Sequence, residues 1–418
     1  MHILFLTDNF PPEVNAPASR TFEHCREWVR AGHRVTVITC APNFPKGQVF
    51  PGYRNRLWQR ERMEGIQVIR VWTYITANNG FLRRILDYVS FMLSATLAAP
   101  FVEKADVVIG TSPQFFTACA AFLVSRMKRI PFIFELRDMW PESIKAVGAM
   151  PDSPAIRFLE RIELFLYRKA EVIVTVTHSF KRKLIERGID DRKIEVVTNG
   201  VDLTRFAPAP RDETLARQLG IEHCFVAGYI GTHGLAHGLE TLLAGAEMLQ
   251  NEHRDDIRLL FLGDGARKAA LKTEAERLGL RNVVFVDSVP KEEVPRYWSL
   301  LDLSVIHLRD SELFTTVIPS KIFESMAMGI PLVHGVPGES ADIVRGEGAG
   351  LVFPSGDAKA LRDALVALQE DRSAYEKFRK SCLASAPRYD RKRLATTMLT
   401  IIAGVYNRHI ARQKQGLG

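Results

Sequence analysis

The sequence is short of cysteine: five in 418 residues, at Cys25, Cys40, Cys119, Cys224 and Cys382, with no CxxC pair. That spacing excludes a zinc-finger or disulfide framework and fits reduced thiols. Carboxylate pairs and His/Cys clusters with metal-site spacing are lacking too, so no metal is expected; no other cofactor is expected either. The chain has no apolar run approaching the roughly 20 residues of a membrane span. Its first segment, Met1–Thr7, lacks a basic region ahead of the apolar run and turns polar at Asp8. It reads as a buried strand rather than a secretory signal, and a cytoplasmic protein is expected. Low-complexity tracts and short repeats are missing. The net charge is +8, but no zinc-finger spacing or RNP-like aromatic–basic motif accompanies it. Nucleic acid is therefore not the expected partner; an anionic membrane or a phosphorylated substrate suits a basic chain.

What is present is a repeated grammar. Hydrophobic residues make up 46% and charged residues 25%, and the length favours two or three domains. In the first half, strand-length Val/Ile-rich runs begin at Ile3, Val35, Val68, Val107, Phe132, Val172 and Ile194, with helical stretches such as Arg20–Arg30, Phe115–Lys128 and Ala155–Lys169 between them. The second half repeats this with runs beginning at Phe225, Arg258, Val283, Leu303, Pro331 and Leu351. Near-continuous apolar strands alternating with helices imply an α/β fold with parallel sheets covered on both faces. The two prolines of Phe206-Ala207-Pro208-Ala209-Pro210 place the linker there. Domains are thus expected over 1–205 and 206–387, with a last helical stretch, within 388–418, crossing back onto the first domain.

One segment stands apart. Tyr88–Val102 has no charged residue and follows Arg83-Arg84. It reads either as a buried helix or as a basic-flanked amphipathic helix touching a membrane surface; the two readings can hold on different faces.

Open parallel sheets bind ligands beyond the carboxyl ends of their strands, so the residues that follow each strand carry the functional information. After the first strand, Asp8–Asn15 is a proline-fixed loop in which Asn15 or Ser19 can start a helix. After Phe132–Glu135 come Arg137-Asp138-Met139-Trp140-Pro141-Glu142-Ser143, with an Arg137–Asp138 ion pair as the plain alternative to a functional role. Gly228–Gly234 runs from a strand into a glycine-rich turn through which Gly231, Thr232 and His233 can approach a phosphate. Here and at Gly263-Asp264-Gly265 the dinucleotide fingerprint is incomplete, which argues against a nicotinamide enzyme. The strongest segment is Ile318–Pro331. A helix starting near Ser320 offers amides and a positive dipole to a diphosphate, Lys321 adds a full charge, and Glu324, one turn on, can accept from two ribose hydroxyls. The plain alternative is a Ser-capped helix with solvated Lys and Glu.

Taken in order, these segments resemble glycosyltransferase family 4, the retaining enzymes of GT-B fold. Phe10-Pro11-Pro12, Gly32-His33-Arg34-Val35-Thr36-Val37, Asn199-Gly200-Val201-Asp202, Gly231–Gly238, Gly263-Asp264-Gly265 and Glu324–Gly329 carry the resemblance. It implies two Rossmann-like doubly wound domains facing a central cleft, the first binding acceptor and the second the nucleotide sugar. It also implies roles: Glu324 on the donor ribose, the Ser320 and Lys321 amides on the diphosphate, the turn at Val289-Pro290 on the base, and Asp138 near the transferred sugar. Such enzymes generally need no metal, and retention is usually described as a front-face reaction.

The departures from the family pattern are specific. The first of its two glutamates is Thr316 here, its Arg and Lys after Gly231 are absent from a loop holding His233, Ala236 and His237, and its "HD" is Arg137-Asp138. "RD-x-WPES" and "PSKIFE" resemble an O-antigen and capsule subgroup that includes N-acetyl-L-fucosamine transferases of the WbuB type. The expectation is transfer from a UDP-sugar to an undecaprenyl-diphosphate-linked saccharide at the inner face of the cytoplasmic membrane, with Arg137, Asp138 and Lys321 as the catalytic candidates. A non-hydrolysing UDP-sugar epimerase of the same architecture, or a two-lobed binding protein, is the competing class.

Overall fold

A computed structural model describes residues 1–44, 46–76, 81–140 and 154–416. The contacts divide the chain into two compact units, Met1–Thr198 with Arg391–Gly418, and Asn199–Asp390.

The first unit runs β1 (His2–Leu6), α1 (Ala16–Arg30), β2 (Arg34–Cys40), β3 (Trp58–Met63), β4 (Ile66–Val71), α2 (Phe81–Ala98), β5 (Val107–Thr111), α3 (Phe115–Lys128), β6 (Phe132–Leu136), α4 (Pro154–Lys169), β7 (Val172–Thr175), α5 (His178–Glu186) and β8 (Ile194–Val196). Its eight strands are ordered β3-β4-β2-β1-β5-β6-β7-β8. Ile3 of β1 pairs with both Val35 and Val107, so β1 and β5 flank the point at which the strand order reverses. Every pairing is parallel except β3 on β4.

The steps from β4 to β8 all travel one way along the sheet, and right-handed crossovers put α2, α3, α4 and α5 on one face. Phe91, Ala118, Leu166 and Leu184 form the core under them. The first crossover runs back, so α1 lies on the opposite face, where Cys25 and Trp28 form a second core. The segment Tyr88–Val102 is helical to Ala98 and has two faces: Phe91, Ala95 and Ala99 are fully buried, while Leu93, Leu97 and Phe101 are exposed.

The second unit contains α6 (Glu213–Gln218), β9 (Phe225–Ile230), α7 (Glu240–Asn251), β10 (Ile257–Leu262), α8 (Lys268–Arg277), β11 (Val283–Val286), α9 (Val294–Trp298), β12 (Leu303–His307), α10 (Lys321–Met328), β13 (Leu332–Gly335), α11 (Glu339–Gly346), β14 (Gly350–Val352), α12 (Ala358–Glu370) and α13 (Arg372–Ser385). Its six strands, ordered β11-β10-β9-β12-β13-β14, are all parallel, and the order reverses between β9 and β12. The chain then returns to the first unit as α14 (Arg391–Lys414). Trp28 of α1 donates its indole N–H to the Ala395 carbonyl at 2.9 Å, and Met398 and Ile402 join the α1 core.

Two expectations need correction. The proline-marked segment at 206–210 is not the crossing between units, which falls at Thr198/Asn199. Phe206 is 5% exposed in the second unit's core, and the residues just after it, 207–210, are exposed and in neither helix nor strand. The edge strand β3 was not expected, because Trp58-Gln59-Arg60-Glu61-Arg62-Met63 carries charge through a half-exposed antiparallel edge.

Candidate active site

In the second unit the site candidates gather where β9 ends. Gly231 has φ +143, and a Cβ there would lie 2.6 Å from Lys321 Nζ. Glycine is therefore what lets the lysine reach the loop. Lys321 opens α10 and places its Nζ 3.6 Å from the centroid of the Tyr229 ring. That nitrogen is shut off from solvent and has no hydrogen-bond partner. Burial pushes its pKa down to about 7, with Glu324 opposing the shift. The Tyr229 hydroxyl donates to the Thr232 carbonyl at 2.8 Å, tying the ring to the loop.

His233 is fully buried, and neither ring nitrogen has a partner. Burial, then Lys268 and Lys321, push its pKa down to about 4. His237 falls to about 4 for the same reasons, burial first and then Lys321. Both imidazoles are neutral at physiological pH, so they do not supply the cation missing from the loop; Lys268 and Lys321 are the lysines acting on it, and Lys268 is paired with Asp287 while the Lys321 Nζ has no hydrogen-bond partner.

The neighbouring strand ends are laced to this loop. Gly231 N–H donates to Leu262 at 2.8 Å, Gly263 N–H to Val286 at 3.2 Å, and His233 N–H to Asp264 at 2.8 Å. Lys268, which the sequence reading did not single out, donates to the carbonyls of Gly263 (2.6 Å) and Val286 (2.9 Å) and to Asp287 Oδ1 (2.6 Å). No local motif marks it; its role comes from the closeness of three strand ends.

Ser320 is the N-cap of α10, but its side chain makes no capping hydrogen bond, so the plain reading of a serine-capped helix fails. The backbone bonds of this turn begin with Ile322 N–H donating to Pro319. Glu324 lies one turn into the helix, half-buried and close enough to Lys321 to act on its charge. Thr316 is 7% exposed. Val289 follows β11 and packs on the core of the unit. The second unit thus gathers Gly231, Thr232 and His233 around Lys321, with Ser320 and Glu324 on the same helix.

In the first unit, Arg137 and Asp138 follow β6. Ser112, just past β5, accepts both their backbone amides on its Oγ, at 2.7 and 3.0 Å. The Arg137 guanidinium turns to the start of α1, donating to the carbonyls of Pro17 (3.2 Å) and Ala16 (3.3 Å). Burial lowers its pKa to about 10, opposed by Glu135. Trp140 stacks on Phe115 with centroids 5.0 Å apart, while Pro141, Glu142 and Ser143 lie outside the described residues. Asn15 caps α1 by accepting from Ala18 N–H at 2.8 Å.

Two features here were not foreseen. Arg20 pairs with buried Glu135 at 3.1 Å and donates to the carbonyls of Val197 (2.9 Å) and Thr198 (2.6 Å), the last residues before the crossing. Burial works against the Glu135 charge, but Arg20 and Arg137 outweigh it and hold its pKa below the usual value. Asp8, at the end of β1, has its pKa raised to about 8 by burial and then by Asp87 and Glu13, and burial raises Asp87 to about 7. The position of Asp8 after β1 was a readable signal; Asp87, on α2, had none.

Chemically, glycine-rich backbone, a helix N-terminus and the buried, unpartnered Lys321 Nζ beside a strand-order reversal make an anion cradle. Comparison with known proteins agrees in kind. Residues 15–200 match the family described as Glycosyl transferase 4-like domain, and residues 224–371 match Glycosyl transferases group 1. A protein of Escherichia coli K12 named a colanic acid biosynthesis glycosyl transferase, WcaI, is 27% identical over 79% of this chain and 82% of its own. A GDP-mannose-dependent alpha-mannosyltransferase of Mycobacterium tuberculosis is 24% identical over 90% of each. The Anabaena protein HepE, solved in complex with UDP-glucose, superposes with a TM-score of 0.69 over 97% of this chain and 100% of its own, at 17% identity. The two parallel-sheet domains are those of a GT-B fold. The chain belongs to the glycosyltransferases, with a Glycosyl transferase 4-like first half and a Glycosyl transferases group 1 second half.

Proposed function

We propose that this glycosyltransferase moves a sugar from a UDP-sugar to a lipid-linked saccharide, with retention, during assembly of a bacterial surface polysaccharide. The observation that carries the reading is the Lys321 ammonium, buried and unpartnered against the Gly231 loop. A buried cation with no partner is costly, and a diphosphate oxygen would satisfy it. As the bond from the sugar C1 to the donor phosphate breaks, negative charge grows on the departing diphosphate, where Lys321 and the N-terminus of α10 stabilise it. The acceptor oxygen bonds to C1 on the same face, and its proton passes to the departing phosphate oxygen. Glu324 holds the ribose, the Val289 turn faces the base, and Gly231, Thr232 and His233 wall the phosphates. Asp138, steadied with Arg137 by Ser112, serves the transferred sugar. A deoxy N-acetylhexosamine such as N-acetyl-L-fucosamine suits the small Thr316 at a position where the family has Glu. The relative named WcaI supports a surface-polysaccharide role, and HepE supports a UDP donor; the GDP-mannose-dependent relative makes the base the first thing to test.

The test is release of nucleoside diphosphate from UDP- and GDP-sugars, with and without a lipid-linked acceptor. Acceptor-dependent UDP release is expected. Isomerisation of the donor without acceptor identifies an epimerase, and GDP release reassigns the base.

Glu324→Ala should weaken UDP binding by about 1.5–3 kcal/mol, the worth of a charge-assisted contact to the ribose. Calorimetry showing an unchanged Kd returns Glu324 to a helix-surface role. Transfer should also persist in EDTA, because the charge on the leaving group is met by Lys321. Full loss in EDTA, restored by magnesium or manganese, contradicts that assignment.

A further inference from the structure

Exposed apolar residues are distributed unevenly. Of fifteen large hydrophobic side chains exposed among the described residues, fourteen belong to the first unit, and eight project from α2, α3, α4 and α5. Those four helices cover the same face of the sheet, so their outward sides share one surface. Within each helix the spacing is that of a single stripe: Leu93 and Leu97 on α2 (53% and 71% exposed), Leu123 and Met127 on α3 (41% and 51%), Phe158 and Phe165 on α4 (61% and 43%). The helices pack side by side, α2 on α3 and α3 on α4, so the stripes are neighbours.

Charge follows the same division. The first unit holds 34 Lys and Arg against 20 Asp and Glu, and the second holds 22 against 28. All of the chain's net positive charge therefore sits on the unit with the apolar face. Helices α2, α3 and α4 together carry eight Lys and Arg and three carboxylates. Of those carboxylates, Glu163 is buried against Tyr167 and Arg187.

We infer that the outer face of α2, α3 and α4 docks on an anionic lipid surface, Leu93, Leu97, Leu123, Met127, Phe158 and Phe165 entering the headgroup layer while Arg83, Arg84 and the basic residues of α3 and α4 meet the lipid charge. An apolar patch rimmed by cations has the chemistry for this. A second copy of the chain is the poorer occupant, since it would bring the same positive excess to the interface. Among the described residues no helix is long and apolar enough to cross a membrane, which suits attachment from one side. The inference rests on the reading that the acceptor is lipid-linked, and it names the surface that would meet that lipid.

The test uses the full chain and sedimentation with vesicles of phosphatidylcholine containing phosphatidylglycerol. The protein should pellet at low salt and be released as salt rises. Leu97→Gln with Phe158→Gln, and separately Leu123→Gln with Met127→Gln, should each lower the vesicle partition by about tenfold or more. Arg83→Glu with Arg84→Glu should lower it and flatten its salt dependence. Arg408→Glu, exposed on α14 across the sheet, should leave it unchanged. A wild-type protein that stays in the supernatant overturns the inference, as does equal release by Arg408→Glu. So does a dimer in gel filtration that the Leu97/Phe158 pair splits while vesicle binding is absent. UDP release with a water-soluble acceptor fragment is read in parallel. If it is absent while docking follows the pattern above, the transfer reading fails and the surface stands.

Discussion

Lys321→Met should lower turnover by about 100- to 1,000-fold while leaving the fold intact or more stable. The magnitude is that of removing one preorganised donor from the site of developing charge. The sign on stability follows from burial: the wild-type Nζ is desolvated without a hydrogen bond, and methionine fills similar space with no charge to desolvate. The pH dependence separates this role from a structural one. With a pKa near 7 in the free enzyme, Lys321 is charged below neutrality and loses its proton as pH rises. The phosphate diesters of a UDP-sugar do not titrate in this range, so wild-type donor affinity should fall as pH climbs past about 7, and the Met variant should lose that slope. Stability moves the other way. The folded pKa lies below the ordinary 10.5, so the unfolded chain holds the proton more tightly between the two values. The stability gap between variant and wild type should therefore narrow as pH rises above 7. Steady-state kinetics and a thermal melt at several pH values decide it; a normal kcat in Lys321→Met removes the lysine from the mechanism.

The contrast between Lys321 and the two histidines shows where sequence reading stops. That Ser320-Lys321 opens a helix and that Gly231 ends a strand were both legible, because the apolar periodicity of a helix and the ends of strand-length runs are local signals. That Lys321 faces Tyr229 across 92 positions, and that His233 and His237 are buried into neutrality, depends on which strand lies beside which. Charge state is a property of burial, and burial is not local. The missed Arg20–Glu135 pair has the same cause, its partners standing 115 residues apart.

The fold divides in the same way. Thirteen strands announced themselves as apolar runs: ten are interior to a sheet and covered on both faces, and the parallel edges β8, β11 and β14 keep a partly buried apolar pattern. Strand β3 did not, because an antiparallel edge tolerates Arg60, Glu61 and Arg62. The linker was misplaced for the converse reason. Pro208 and Pro210 mark an exposed segment without helix or strand, and such a segment can lie on a domain as well as between two. The crossing at Thr198/Asn199 has no proline-rich stretch; it falls where the Asn199-Gly200-Val201-Asp202 motif begins, and Arg20 donates to the Val197 and Thr198 carbonyls just before it.

Gly263→Ala should be among the most damaging single changes in the second unit, although it adds one methyl group. Gly263 sits at φ +145, and a Cβ there would stand 1.9 Å from the Gly231 carbonyl oxygen and 2.8 Å from its carbon. Backbone cannot step aside as the end of a side chain can, so the β9 loop must move. Strain at such a φ and forced displacement together cost about 2–6 kcal/mol. Gly279 is the control: its φ is +62, but nothing lies within 4 Å of the position a Cβ would take. Gly279→Ala should therefore cost only about 1–2 kcal/mol, the ordinary penalty of a left-handed residue. The functional consequences should diverge further. Gly231 carries the loop against Lys321, and a shift of about 1 Å in positioning groups can cost roughly 100-fold. UDP affinity should fall by about that factor in Gly263→Ala and hold in Gly279→Ala. Denaturant unfolding with calorimetry on both variants measures the two effects separately. If Gly263→Ala matches Gly279→Ala in both stability and UDP affinity, the Gly231–Gly263 contact does not shape the donor site.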